Sequence, residues 1–320
     1  MKQPILITGA TGYVGQRCAH YLRELGYEVL LGSRMAPSSL TTERWISYGD
    51  DLDSQILRSA LKECGVVIHC AGQNQVGRGL HTRSAARKAN VDFTRALAQH
   101  AIEAGVLHVV FISSALVVAG SRTVIGHVDD SASPAPLTDY AVSKLEAERV
   151  LAEICSGTNL KFTILRPPMV YGPAARGNFG RLVRLVQSGI PMPLAGATAP
   201  KSFIFIENLA SAVAAAVAKA PPETNNTFLI SDAQPTTTAD MVQEIALQAG
   251  RTARLFPMPK FALQPAFALL GMRDEWDKLF EPFTIDAAAF SSWADWTAPV
   301  SSHDAVRLSM AETFQASVAE

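Results

Sequence analysis

The feature that most constrains this chain is a glycine-rich turn set between an apolar run and a helix-length stretch. Ile5, Leu6 and Ile7 lead into Thr8-Gly9-Ala10-Thr11-Gly12-Tyr13-Val14-Gly15; Gln16 to Leu25 then read as a helix that Gly26 stops. A strand from Glu28 to Leu31 completes a βαβ unit. Glycines at such a turn let the backbone bend tightly and approach a pyrophosphate, which the amides and positive end of the following helix hold. Gly9, Thr11, Gly12, Tyr13, Val14 and Gly15 are therefore candidate dinucleotide contacts, with Gly12 the expected point of closest approach. The competing reading of the same residues is an ordinary tight turn.

A second constellation lies further on. Tyr140 and Lys144 stand four residues apart in TDYAVSK, twenty-six residues after Ser114. Four helical residues advance about 400° and about 6 Å, which puts phenol and ammonium on one face. A fixed cation favours a phenolate and draws the tyrosine pKa from about 10 toward neutrality. That makes an acid-base device. A half-buried tyrosine beside a solvated lysine is the plainer alternative.

The GxxGxxG spacing, taken with Ser114, Tyr140 and Lys144, resembles the short-chain dehydrogenase/reductase superfamily. The chain is most similar to the extended branch, the NAD(P)-dependent epimerase/dehydratase family, whose members mostly act on nucleotide sugars. GDDLD (49–53), VVIHCAG (66–72), NVDFTRAL (90–97), VVFISSALVVAG (109–120) and LRPPMVYGP (165–173) carry the resemblance through most of the chain.

Candidate strands at Ile5 to Thr8, Glu28 to Leu31, Val66 to His69, Val109 to Ser113 and Phe162 to Leu165 alternate with helix-length segments. That order predicts an α/β fold with a doubly wound parallel Rossmann sheet. After Arg166 six prolines between 167 and 200 break the pattern, and further strands are expected near Phe203 and Phe228. The resemblance implies a dinucleotide-binding domain of residues 1–168 and 203–232 and a smaller α/β substrate domain of residues 169–202 and 233–320.

At the end of the second strand stand Gly32, Ser33 and Arg34, where an acidic residue would bond an adenosine ribose. With no carboxylate to repel it, a 2′-phosphate could pair with Arg34 and accept from Ser33, so NADP is preferred and NAD is the alternative. The resemblance places Asp51 and Leu52 at the adenine, with Asp50 an adjacent rival, and either aspartate could instead cap the following helix. Ala71 and Gly72 leave room for the cofactor backbone. Pro167 and Val170 match positions beside the nicotinamide. Asn90 reads as structural.

The resemblance also implies a chemistry. Ser114 and Tyr140 hold a hydroxyl, Tyr140 takes its proton as hydride leaves the same carbon, and Lys144 lowers the tyrosine pKa and bonds the nicotinamide ribose. Ser113 is a direct rival of Ser114. Relatives that dehydrate sugars carry Asp and Glu where this chain has Ala115 and Leu116, which cannot transfer protons. Epimerisation or carbonyl reduction of a UDP-sugar is left.

On the substrate side Asn178 matches a diphosphate-reading position and Lys201 replaces a usual arginine, trading a planar fork for a point charge. Arg176, Arg181, Arg273 and Lys278 are further anion candidates, whereas Trp276, Trp293 and Trp296 read as core. Two other functions stay open: an alcohol or steroid-type dehydrogenase, and a non-catalytic NADP-binding sensor or assembly subunit. Twenty-eight basic against twenty-nine acidic residues argue against nucleic acid or membrane partners. Four cysteines without CxxC spacing, and no apolar run long enough for a membrane span, predict reduced thiols, no metal site and a cytoplasmic protein. Homodimers are common in the family.

Overall fold

Runs of aliphatic residues between glycine and proline breaks build the strands. In the computed structural model these are β1 (Ile5–Thr8), β2 (Val29–Ser33), β3 (Trp45–Ser47), β4 (Val66–His69), β5 (His108–Ile112), β6 (His127–Val128), β7 (Lys161–Arg166), β8 (Met169–Tyr171), β9 (Pro200–Lys201), β10 (Phe203–Phe205) and β11 (Asn226–Leu229). The structure describes residues 3–35, 43–51, 53–73, 83–121, 126–175, 177–269, 276 and 279–318. Leu52, Arg176, Arg273 and Lys278 lie outside them.

Seven strands form one sheet in the order β3-β2-β1-β4-β5-β7-β11, and every pairing in it is parallel. The chain winds outward from β1 in both directions, so the loops after β1 and β4 part and open a crevice at the carboxyl ends of the strands. The doubly wound Rossmann architecture expected from the strand order is the one observed. The strand at Phe228 joins this sheet. The strand at Phe203 does not; β10 pairs in parallel with β8 in a separate two-stranded sheet. Pro167 and Pro168 end β7, since proline cannot donate to a ladder, and the redirected chain supplies β8 as a new partner.

The helices are α1 (Tyr13–Glu24), α2 (Gln55–Leu61), α3 (Arg83–Arg87), α4 (Phe93–Ala104), α5 (Asp139–Cys155), α6 (Asn178–Ser188) and α7 (Ile206–Ala218), with others toward the C-terminus. Side-chain alternation along the strands divides the core. Ile5, Ile7, Val110 and Leu165 face one layer, and Leu6, Val109, Phe162 and Ile164 the other. Helix α7 is apolar on nearly every side because it is buried between α1 and C-terminal residues, including Trp296, whose Nε1 donates to Ser211 Oγ at 2.9 Å. Trp276, Trp293 and Trp296 all belong to this core, as their sequence context suggested. Among the described residues no helix is long and apolar enough to cross a membrane.

Candidate active site

The turn after β1 is held by backbone. Gly12 N donates to Gly9 O at 2.9 Å, and Ala10 N to Gly32 O at 3.0 Å. Gly9 has φ of 71°, and a Cβ there would lie 2.6 Å from Ala71 N, so β4's exit passes directly beneath the turn. At Gly15 a Cβ would be driven into the Gly9 carbonyl. Gly9 and Gly15, rather than Gly12, are thus the positions with no room for a side chain. Gly12 caps α1 without a side-chain hydrogen bond, and the first turn carries no acidic residue. Its leading amides form a cradle suited to an anionic pyrophosphate. Thr11 is exposed at the rim, Val14 turns into the core, and the Tyr13 hydroxyl lies against Gly172.

At the end of β2, Ser33 is buried and its hydroxyl donates to the Met35 carbonyl. Arg34 is exposed and lies 3.6 Å from Asp50. The basic site expected for a 2′-phosphate therefore includes a carboxylate. Asp51 accepts from the Asp53 amide at 2.9 Å, while Ser54 caps α2, so neither Asp50 nor Asp51 is that helix's cap.

The catalytic candidates meet where β5 ends against α5. Thr138 caps α5, its hydroxyl accepting from Ala141 N at 3.2 Å, which starts the helix just before Tyr140. Ser114 Oγ accepts from Leu116 N at 3.2 Å, and the Tyr140 phenol lies beside Ser114. Burial pushes the phenol up to about 12, and the Ser114 contact opposes that rise. Lys144 is 4% exposed, donates to Ile112 O at 2.8 Å and lies 4.7 Å from the centre of the Phe111 ring. Burial lowers it to about 8, against the opposing pull of Cys70 and Glu148. The expected depression of the tyrosine by lysine is therefore not what these groups display: the ammonium is tied to a carbonyl, and Tyr140 rests as a phenol.

Ser113 and Ser114, the two residues that follow the last residue of β5, turn to different partners. Ser113 donates to buried Glu148, which Arg166 grips through Nε at 3.0 Å and Nη2 at 2.6 Å. Glu148 and Arg166 are partners that sequence reasoning passed over; the spacing Tyr140, Lys144, Glu148 on one helical face was the available signal. Asn90, in a π-helical turn before α4, bonds the Gln73 amide at 2.7 Å and Ser143 Oγ at 2.8 Å. It braces the segment after Gly72, where a Cβ would meet Asn90 Oδ1 at 2.9 Å and Lys144 Nζ at 3.3 Å. His69 was also missed. It bridges Thr8 at 2.8 Å and Thr94 at 2.9 Å, tying β1 and α4 behind the crevice.

Pro167 O accepts from Ala115 N at 2.8 Å, and half-buried Val170 lies in β8. Ala115 is buried and Leu116 part-exposed in a 3-10 turn. On the substrate side, Asn178 opens α6 and is exposed, as is Arg181. Lys201 is buried, and its ammonium donates to the Glu281 carbonyl. The sequence did not reveal this because Glu281 lies eighty residues away.

The sequence is 31% identical to a UDP-glucose 4-epimerase of Vibrio cholerae over 93% of this chain and 92% of that one. The fold matches a UDP-N-acetylglucosamine 4-epimerase from Bacillus cereus with a TM-score of 0.80 at 18% identity, over 98% of this chain and 99% of that one. It also matches MoeE5, solved in complex with UDP-glucose and NAD, with a TM-score of 0.76 at 24% identity over 98% and 99%. The profile of the NAD dependent epimerase/dehydratase family matches residues 5–230, from β1 through β11. With that match, and a full-length relative above 30% identity, this chain is an enzyme belonging to the NAD-dependent epimerase/dehydratase family.

Proposed function

We propose that the protein interconverts UDP-sugars at C4 by Tyr140-assisted hydride transfer with a bound nicotinamide dinucleotide. One observation carries the reading: Tyr140 and Lys144 lie one turn apart on α5 against the end of β5, the phenol beside Ser114 and the ammonium 2.8 Å from the Ile112 carbonyl, at the mouth of the crevice that begins at the glycine turn. The dinucleotide, when bound, supplies an acceptor that takes a hydride and returns it. The leading amides of α1 beyond Gly12 would hold its pyrophosphate, while Gly9 and Gly15 keep the turn close against Ala71 and the Gly9 carbonyl, and Ala71 and Gly72 would border its path.

The chain's own residues handle the proton. Ser114 and Tyr140 orient the sugar hydroxyl; Tyr140 first gives up its phenol proton to solvent, and the resulting phenolate takes the hydroxyl proton and hands it back when the hydride returns. Lys144 supplies the positive charge for that step and the donor for a ribose hydroxyl. Residues 169–202 and 233–320, with Asn178 at the start of α6, are assigned to the sugar and diphosphate. The absence of carboxyl groups at Ala115 and Leu116 favours epimerisation over dehydration.

NAD is the proposed dinucleotide, because Asp50 lies beside Arg34 and Ser33 is spent on a backbone carbonyl. The relative aligned over nearly the full length bears the name of an epimerase, which must return the hydride it removes and so benefits from retaining its cofactor. A second reading, NADP-dependent ketoreduction, rests on the exposed Arg34 itself. Native mass spectrometry of the purified protein, followed by NMR of UDP-glucose and UDP-N-acetylglucosamine incubations, separates the two. Retained NAD and a C4 epimer support the proposal; bound NADP with net NADPH consumption replaces it with reduction.

A further inference from the structure

We propose that Glu148 is a positioning residue for this site, locking the end of β5 in register with α5 so that Ser114 meets Tyr140. The inference rests on the catalytic reading above, and the geometry behind it is a ladder. Tyr140, Lys144 and Glu148 occupy positions i, i+4 and i+8 of α5, along one helical face. Each meets one residue of a consecutive tripeptide: Lys144 bonds the Ile112 carbonyl at 2.8 Å, Glu148 bonds the Ser113 hydroxyl, and Tyr140 lies beside Ser114.

Glu148 is 4% exposed and Arg166 8%, and both carboxylate oxygens are engaged, by Arg166 Nε and Nη2 and by Ser113. Arg166 directly precedes Pro167, whose carbonyl accepts from Ala115 N on the other side of Ser114. Residues 113 and 115 are thus pinned independently, which leaves Ser114 little freedom between them. A buried carboxylate is costly unless it is paired, and this one is paired bidentately and bonded a third time.

The carboxylate also acts on charge. It draws the Lys144 pKa upward against burial. The charged and titratable groups around the pair are Cys70 and His69 from β4 and its exit, Arg166 from β7, and Asp130 beyond Arg166. Losing only Glu148's charge therefore lowers the Lys144 pKa, and the alkaline limb of the rate profile moves to lower pH.

The test is Glu148→Gln, made in the full chain and compared with wild type for kcat, KM, pH profile and melting temperature. The expected result is a kcat at least tenfold lower, a KM within threefold of wild type, and an alkaline limb displaced toward neutral pH. A separate readout needs no turnover: 13C NMR titration of reductively methylated Lys144, assigned with Lys144→Met, shows a lower pKa in Glu148→Gln. Wild-type protein inactive on every UDP-sugar would sink the proposed function while leaving this titration to judge Glu148. Unchanged kcat, or a loss of activity with both titrations unmoved, overturns the positioning role. Should Glu148→Gln fail to fold, Ser113→Ala, which keeps the Glu148–Arg166 pair, carries the test. A lower kcat at unchanged melting temperature supports the inference, and wild-type kcat refutes it.

Discussion

The Lys144 ammonium donates to the Ile112 carbonyl 2.8 Å away, tying the cation one helical turn from Tyr140 to the strand that leads into Ser114. Lysine and serine are thereby set by the same strand end. Tyr140, the proposed acid-base group, the Ser114 hydroxyl and the Lys144 cation share one rigid junction instead of three separate loops.

Tyr140→Phe removes the phenol hydroxyl from this junction while leaving its ring in place. Turnover on the UDP-sugar substrate should fall by about 10²–10⁴-fold, the usual contribution of a positioned acid or base. Dinucleotide binding, followed by fluorescence quenching or calorimetry, should stay within a few-fold of wild type. Retention of full turnover by the phenylalanine variant would end the catalytic assignment.

Gly15→Ala and Gly177→Ala form a contrasting pair. A methyl at Gly15 collides with the Gly9 carbonyl, a backbone atom that cannot swing aside, whereas nothing lies within 4 Å of the same addition at Gly177. Overpacking of this kind costs about 1–3 kcal/mol. Urea unfolding should show that loss for Gly15→Ala together with weakened dinucleotide binding, and no significant change for Gly177→Ala.

His69 and His108 are buried and neutral; burial, helped at His69 by Lys144, lowers them from 6.5 to about 3 and about 4. Their folded pKa values lie below the unfolded ones, so unfolding takes up protons. The associated stability is complete above pH 6.5 and drains away as pH falls toward 4 and 3. Between pH 6.5 and 5 each imidazole accounts for about 2 kcal/mol. His108→Gln, which keeps a donor for Thr163, should lose about that much less stability over the same interval in urea titrations. An acid dependence equal to wild type would show that His108 does not titrate on unfolding.

Asp50→Asn removes the carboxylate 3.6 Å from Arg34 at the ribose end of the crevice. The exposed pair is worth little to stability. Its effect should instead appear in cofactor choice, with NADP affinity rising several-fold against an unchanged NAD affinity in parallel calorimetric titrations. Equal affinity ratios for wild type and variant would place the 2′-position away from Asp50.

Much of this was legible from local pattern. A glycine turn between a strand and a helix admits few conformations, so the βαβ unit and the parallel order of its sheet followed from short stretches of chain. The i, i+4 spacing by itself likewise places Tyr140 and Lys144 on one face. Less legible were contacts closed over long separations. Phe203 reads as a sheet strand, but β8 is available as its partner only after Pro167 and Pro168 turn the chain. Lys201 reads as an anion ligand, yet in three dimensions it meets the carbonyl of Glu281.

By itself the sequence determined the doubly wound architecture and pointed to the family, because helix period, strand alternation and glycine sterics act over a few residues. Only the tertiary structure decided which of Ser113 and Ser114 faces Tyr140, that Arg34 shares its site with Asp50, and that Glu148 and Arg166 form a buried pair behind Lys144. Those outcomes depend on where separate elements meet and on the loss of water around charges there, and neither is encoded at any single position.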